Sequence, residues 1–232
     1  MNPGGFEAGI VVPSGGNGIV IAAGVNDAVS LRGLTIEGAG IGSTGIQFNT
    51  GKSLTIANCI IRHLTTNGIS FFPNASSNLA VSNTVAADNG LHGIYVLPGG
   101  SGTVTAVFNR VEANNNAAAG IHVDGSISTG TVNATVSESV AAHNNAGAGF
   151  SAATAAGHAS NTLTVFHSVS ASNSFGIASV GLGATLRLAQ SVVAGNEAGW
   201  LVFNSGVAAS YGDNYIDGNG SNTGSLTLVS KQ

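Results

Sequence analysis

Charge is what this chain most lacks. Lys, Arg, Asp and Glu make up 7% of its 232 residues, where an ordinary soluble domain carries about 25%. Six basic and ten acidic residues give a net charge of −4, with no Lys/Arg cluster. That excludes a nucleic-acid partner, because such binding rests on many phosphate contacts. A single cysteine, Cys59, excludes an internal disulfide and reads as a small buried hydrophobe. No apolar run approaches the ~18 residues of a membrane span. Met1 is not followed by the basic and apolar regions of a secretory signal. Disorder is excluded as well, since the net charge is low and 43% of the residues are hydrophobic.

What is present is glycine, 35 residues of it, and its placement repeats. Gly18-Ile19-Val20-Ile21, Gly45-Ile46-Gln47-Phe48, Gly68-Ile69-Ser70-Phe71 and Gly93-Ile94-Tyr95-Val96 share one pattern. Gly120-Ile121-His122-Val123, Gly149-Phe150-Ser151-Ala152, Gly176-Ile177-Ala178-Ser179 and Gly199-Trp200-Leu201-Val202 continue it. The gaps are 27, 23, 25, 27, 29, 27 and 23 residues, the signature of a solenoid whose units stack on their neighbours. A glycine at this point is expected to supply a turn with positive φ.

Each unit holds two further short apolar alternations, such as Leu54-Thr55-Ile56, Leu79-Ala80-Val81 and Leu163-Thr164-Val165. A polar column is expected at Asn58, Asn83, Asn109, Glu138, His167, Gln190 and Asn214. A valine column follows (Val85, Val111, Val140, Val169, Val192, Ile216), then a small one (Ala87, Ala113, Ala142, Ala171, Ala194, Gly218). A second Asn column is expected at Asn89, Asn115, Asn144, Asn173 and Asn196. Thr55, Thr135 and Thr164 share another column, interrupted by Ala80, Ala106 and Arg187. Three strands per ~26-residue unit, with polar turns, define an all-β parallel β-helix of about eight coils. Stacked Asn side chains can bond from coil to coil and so satisfy amides inside tight turns. Nothing recurs at the helical period, and Gly, Asn and Thr are poor helix formers.

The repeated Asn-Gly-Ile element and Leu31-Arg32-Gly33-Leu34-Thr35-Ile36 resemble the coils of right-handed parallel β-helix proteins of the pectate-lyase-like superfamily. The resemblance runs from about Gly18 to Asn219. It implies a right-handed, single-stranded solenoid and a place outside the cell, at the cell surface or in the periplasm. It says little of activity, because fold does not fix function. Residues 1–17 read as an incomplete first coil, with Glu7 to Val12 as one strand and no capping helix, as in a chain cut from a longer one. Residues 18–219 are the repeats, and residues 220–232 a final strand or tail. An open first edge could recruit a strand, so end-to-end self-association is expected.

Enzymes of that superfamily carry Asp clusters for Ca²⁺ with an Arg, or Trp-Ile-Asp-His, Asn-Thr-Asp, Gly-His-Gly or Asp-Pro-His elements, none of which occurs here. The five Asp residues are scattered over different coils, and no His pair has metal-ligand spacing. No cofactor or metal is expected. Two outward patches remain as candidate sites. One is the outer face of the Gly-Ile strand, with Gln47, Ser70, Tyr95, His122 and Ser151 in one column and Asp124 beside His122. There Tyr95 offers a ring for a sugar and His122 a titratable base. The other is Arg110, Glu112, Glu138 and His143, where a surface ion pair between coils competes with any site. Glu112 and Glu138 are the nearest approach to the paired carboxylates a hydrolase needs. The reading is a non-enzymatic rod or weak polysaccharide-binding platform. The alternative is a lyase or glycoside hydrolase for an acidic glycan, using Tyr95, His122, Asp124 or Arg110.

Overall fold

The computed structural model describes residues 8–231, so Glu7 of the expected first strand lies outside the described residues. Strand Ala8–Val11 pairs with Leu34–Glu37, and strand Leu226–Leu228 pairs with Val207–Ser210 at the other end. No helix occurs among the described residues, and the strand pairings are parallel from coil to coil. One sheet has eight strands in chain order, from Ile19–Ala22 to Ala198–Phe203. The other two strand sets of the coil merge into a sixteen-stranded sheet. They merge because Ser77–Ala87 and Thr103–Glu112 run unbroken through the corner between them.

The core is a set of apolar columns. Ile46, Ile69, Ile94, Ile121, Phe150 and Ile177 stack on one wall, and each is at most 1% exposed. Phe48 lies on Phe71 with ring centroids 4.5 Å apart. On the facing sheet Leu54 and Leu79 lead the equivalent column, and Ile56, Val81, Phe108, Val136 and Val165 run beside it.

The repeated glycines are there for closeness rather than for turn conformation. None of Gly18, Gly45, Gly68, Gly93, Gly120, Gly149, Gly176 or Gly199 has positive φ, contrary to the sequence expectation. A Cβ on Gly68 would lie 2.6 Å from the Gly93 carbonyl oxygen, and one on Gly93 2.7 Å from that of Gly120. Coils about 4.8 Å apart leave no room for a methyl where the chain turns across its neighbour.

The Asn ladder runs Asn89–Asn116–Asn144–Asn173–Asn196–Asn219, with Asn116 and not Asn115 as its second rung. Each Oδ1 from Asn116 onward accepts the backbone N–H and the Nδ2–H of the coil before it. Asn115 instead takes the left-handed conformation beside it, φ 55°.

The corner column shifts by one residue as well. The left-handed residues are Asn58, Asn83, Arg110, Glu138, His167 and Gln190, so Asn109 and Asn214 fall outside it. These positions are exposed, and a solvated αL residue need not be Asn, which is why residue identity misplaced two of them. His167 is therefore no rung of a buried ladder; it lies against Phe166, ring centroids 4.1 Å apart. The next column points inward: Cys59, Thr84, Val111, Ser139, Ser168 and Ser191 are at most 3% exposed. Hydroxyls bond along it, Ser139 Oγ accepting from Val111 N–H at 3.0 Å and Ser168 Oγ from Ser139 N–H at 3.1 Å. One αL residue resets the in-out alternation. Consequently Ala86, Ala113, Ala141 and Val193 face the core, while Val85, Val140, Val169 and Val192 share Glu112's column at half-exposed positions. In the threonine column Val107, not Ala106, is the rung opposite Thr135; Ala106 is fully buried.

Candidate functional site

Parallel register puts Ser70, Tyr95, His122 and Ser151 side by side on the outer face of the eight-stranded sheet. Asp124 follows on the same strand as His122, Ile121–Asp124. The Tyr95 hydroxyl donates to Asp124 Oδ2 at 3.3 Å, and His122 Nε2 lies 3.8 Å from the same oxygen. Ser126 N–H donates to Asp124 Oδ1 at 2.8 Å. The Tyr95 and His122 rings stack at 5.3 Å and 19°, and Phe72 meets Tyr95 edge-on at 5.5 Å.

His92 completes the cluster, and neither patch read from the sequence included it. It stacks on His122 at 5.0 Å and lies 4.9 Å from Tyr95. Its place is the residue before the repeat glycine, a position held by Asn17, Thr44 and Asn67 in earlier coils. Asn67 Oδ1 accepts His92 N–H at 3.1 Å, and His92 Nδ1 accepts Ala119 N–H at 3.1 Å in the same way. The imidazole thus substitutes for an amide rung. Aligning Asn67-Gly68 with His92-Gly93 would have revealed it.

These contacts set the protonation of the cluster. Burial lowers the His92 pKa to about 4, His122 opposing its charge further. The ring is neutral at pH 7, with its proton on Nε2 because Nδ1 accepts. Burial also raises the Tyr95 phenol, with the Asp124 charge adding to it. For Asp124, burial works upward, but the nearby His122 imidazole and the bonds from Ser126 outweigh it and hold the carboxyl below its usual range. His122 Nδ1 is buried without a hydrogen-bond partner. The faces of Tyr95 and His122 cover one another, so what they present outward is ring edge, hydroxyl and carboxylate.

Gln47 stands two coils away, accepting from Asn17 Nδ2 at 2.7 Å and donating to Asn49 at 3.0 Å. The second patch lies on the other sheet. Arg110 Nε reaches Glu138 Oε2 at 2.9 Å, with both side chains more than half exposed. Glu112 is exposed on the strand beyond it and makes no ion pair among the described residues. His143 is a left-handed residue at the next corner. Among the described residues no three His, Cys, Asp or Glu side chains gather closely enough to hold a metal ion, and no helix is long and apolar enough to cross a membrane.

Stacked coils, inward apolar columns and a polar outer face define a parallel β-solenoid. The model of the right-handed β-helix region matches residues 6–140, and the chain belongs to that family. No curated protein sequence matches it. Among solved structures it is similar to the A-module of the Azotobacter vinelandii mannuronan C-5 epimerase AlgE4. That likeness has a TM-score of 0.53 at 14% identity, over 97% of this chain and 81% of that one. It is also similar to the pectate lyase Pel9A, with a TM-score of 0.47 at 15% identity, over 96% and 68% of the two chains. At such identities the likeness concerns the fold alone.

Proposed function

We propose that the protein is a non-catalytic polysaccharide-binding β-helix, acting outside the cell and holding an uncharged glycan along the outer face of its eight-stranded sheet. The observation that carries this reading is the Tyr95–His92–His122–Asp124 cluster. Hydroxyl, imidazole and carboxylate edges gather there on two neighbouring coils, groups suited to the hydroxyls of a sugar. Ser70 and Ser151 flank that cluster and are nearly buried.

The chemistry of the cluster favours binding over turnover. A general base needs a free lone pair near neutral pH. The His92 Nδ1 lone pair is taken by a backbone N–H, His122 Nδ1 is sealed from solvent, and the Tyr95 phenol is held protonated. The outward columns of this sheet hold Asp124 and no Lys or Arg. An acidic glycan would meet repulsion without a counter-charge, which weighs against the lyase or hydrolase alternative.

The test is co-sedimentation with cellulose, chitin and mixed β-glucan beside alginate and pectate, with 235 nm absorbance and reducing ends followed in parallel. Binding to a neutral polysaccharide without product is expected. Tyr95→Ala should weaken it about tenfold, the ~1.4 kcal/mol of one aromatic contact, while Arg110→Gln leaves it unchanged. Unsaturated product, retention by the acidic glycans alone, or binding indifferent to Tyr95 would each overturn the proposal.

A further inference from the structure

Six times in this chain an Asn or Asp precedes a glycine: Asn17-Gly18, Asn67-Gly68, Asn89-Gly90, Asp124-Gly125, Asp217-Gly218 and Asn219-Gly220. Such a pair can react with itself. The glycine's amide nitrogen attacks the side-chain carbonyl carbon of the residue before it, with no Cβ to obstruct the approach. The step needs a nitrogen without an acceptor and a side chain free to swing onto it.

The solenoid withholds both from five of the six pairs. Gly18 N–H donates to Thr44 O, Gly68 to His92 O, Gly90 to Leu64 O, Gly125 to Ala153 O and Gly220 to Asn196 O, all at 2.7 to 3.0 Å. The residues before them are held as well. Asn17 bonds Gln47 and Thr44 N–H, Asn67 bonds Ser70 and His92 N–H, and Asn89 and Asn219 are rungs of the ladder. Asp124 is tied to Tyr95 and Ser126.

Asp217-Gly218 differs on both counts. Gly218 takes the left-handed corner position, φ 64°, that Asn115, His143, Ser172 and Gly195 hold in earlier coils. There the corner N–H reaches forward to the next coil, from His143 to Ala171 O, Ser172 to Ala194 O and Gly195 to Asp217 O. Strand Tyr215–Asp217 is paired on one side only, by Val192–Ala194. Among the described residues the Gly218 N–H therefore has no acceptor, and the exposed Asp217 carboxylate makes no hydrogen bond or ion pair.

We propose that Asp217 is a modification site, where the chain isomerises to isoaspartate. The Gly218 nitrogen bonds Cγ of the protonated Asp217 carboxyl and gives up its proton, and the Cγ–O bond breaks to release water. One water then reopens the five-membered imide. Opening at Cγ returns aspartate. Opening at the Asp217 main-chain carbonyl leaves the chain running through Cγ, one methylene longer. The net change is an isomerisation that needs no oxidant or cofactor. The carbonyl displaced from the main chain is the one that accepts Gly195 N–H at 3.4 Å and Asn219 Nδ2 at 3.2 Å. The added methylene also moves Asn219, whose Oδ1 accepts Asn196 N–H at 3.0 Å and Asn196 Nδ2 at 2.8 Å. The reaction thus loosens the asparagine ladder from its Asn219 rung.

The test is prolonged incubation of the full chain at 37 °C and pH 6. Isoaspartate is counted by carboxyl methyltransferase labelling and placed by electron-transfer fragmentation. It is expected at Asp217, at a rate within about threefold of a free peptide spanning residues 211–222. The Asn-Gly pairs, marked by the mass change of deamidation, should react at least about tenfold slower than their own peptides. Asp217→Glu, which would have to close a larger ring, should abolish the labelling, and in the isomerised native chain Asn196 N–H should exchange faster. Labelling that survives Asp217→Glu, deamidation of any Asn-Gly pair ahead of Asp217, an Asp217 slowed tenfold against its peptide, or unchanged Asn196 exchange would overturn the assignment.

Discussion

Asn144→Ala tests the idea that the asparagine ladder, and not the apolar core alone, holds the coils in register. Asn144 is fully buried. Its Oδ1 accepts from Asn116 N–H at 3.1 Å and Asn116 Nδ2 at 3.0 Å, while its Nδ2 donates to Asn173 Oδ1 at 2.8 Å and Ala113 O at 3.0 Å. Truncation strands three groups: the Asn116 N–H, one Nδ2 proton of Asn116 and the Ala113 carbonyl. Asn173 Oδ1 keeps the bond from the Asn144 backbone N–H at 2.9 Å. A buried polar group left unpaired costs about 1–3 kcal/mol, so three of them, partly relaxed, cost about 3–6 kcal/mol. That is a large share of the 5–15 kcal/mol typical of a whole domain. Urea unfolding followed by circular dichroism measures the total. Because a solenoid can open coil by coil, hydrogen exchange at Asn116 and Asn144 shows whether the damage is local. Asn133→Ala, at an exposed position on the outer face, is the control and should stay within ~0.5 kcal/mol. If Asn144→Ala lowers stability no more than that control, the ladder is a consequence of coil stacking and not a cause of it.

The period was legible because the same requirement recurs at every coil. Only glycine allows the close crossing, and the apolar residues after it must fill the same wall each time. What sequence misjudged was the reason and the phase. The glycines have ordinary φ, and their necessity lies in a carbonyl of the next coil, a contact between residues some 25 apart that no local turn rule contains. The phase failed at Arg110 because an αL residue on the outside of a corner constrains conformation, not chemistry, and Arg, Glu, His and Gln all occupy it. The hydroxyl ladder through Ser139, Ser168 and Ser191 was hidden because the next column was read two residues on, at Val140, Val169 and Val192, whereas the αL residue turns the serine directly after it inward. At the candidate site, Tyr95, His122 and Asp124 were found together because parallel register follows directly from the repeat. His92 was missed because its role, accepting a backbone N–H, belongs to asparagine in the coil before, and a histidine before the repeat glycine does not look like an amide rung unless the two coils are aligned there.

Gly93→Ala would place a methyl 2.7 Å from Gly120 O and 2.9 Å from both Ala86 O and the ladder amide of Asn116. It should destabilise by at least about 3 kcal/mol. Gly33→Ala, with open space around it but φ of +64°, should lose only about 1 kcal/mol, and a urea midpoint series that ranks them the other way would refute the crowding argument. The last prediction concerns pH. His92 faces His122, Tyr95 and Asp124, and its pKa is lowered to about 4 from about 6.5 in the unfolded chain. Between those values the unfolded state binds a proton that the folded state refuses, so stability falls as pH drops from 6.5 and levels off below 4, by about 3 kcal/mol. Asp124, also lowered, contributes in a separate window: its share is present above the unfolded carboxylate value near 3.9 and is lost only as pH falls through the lower folded one. His92→Asn keeps an acceptor for Ala119 N–H, as Asn67 does for His92, but cannot titrate. Urea midpoints from pH 7 to 4.5 should therefore fall for the native chain and stay flat for the variant, and parallel curves would place the proton elsewhere.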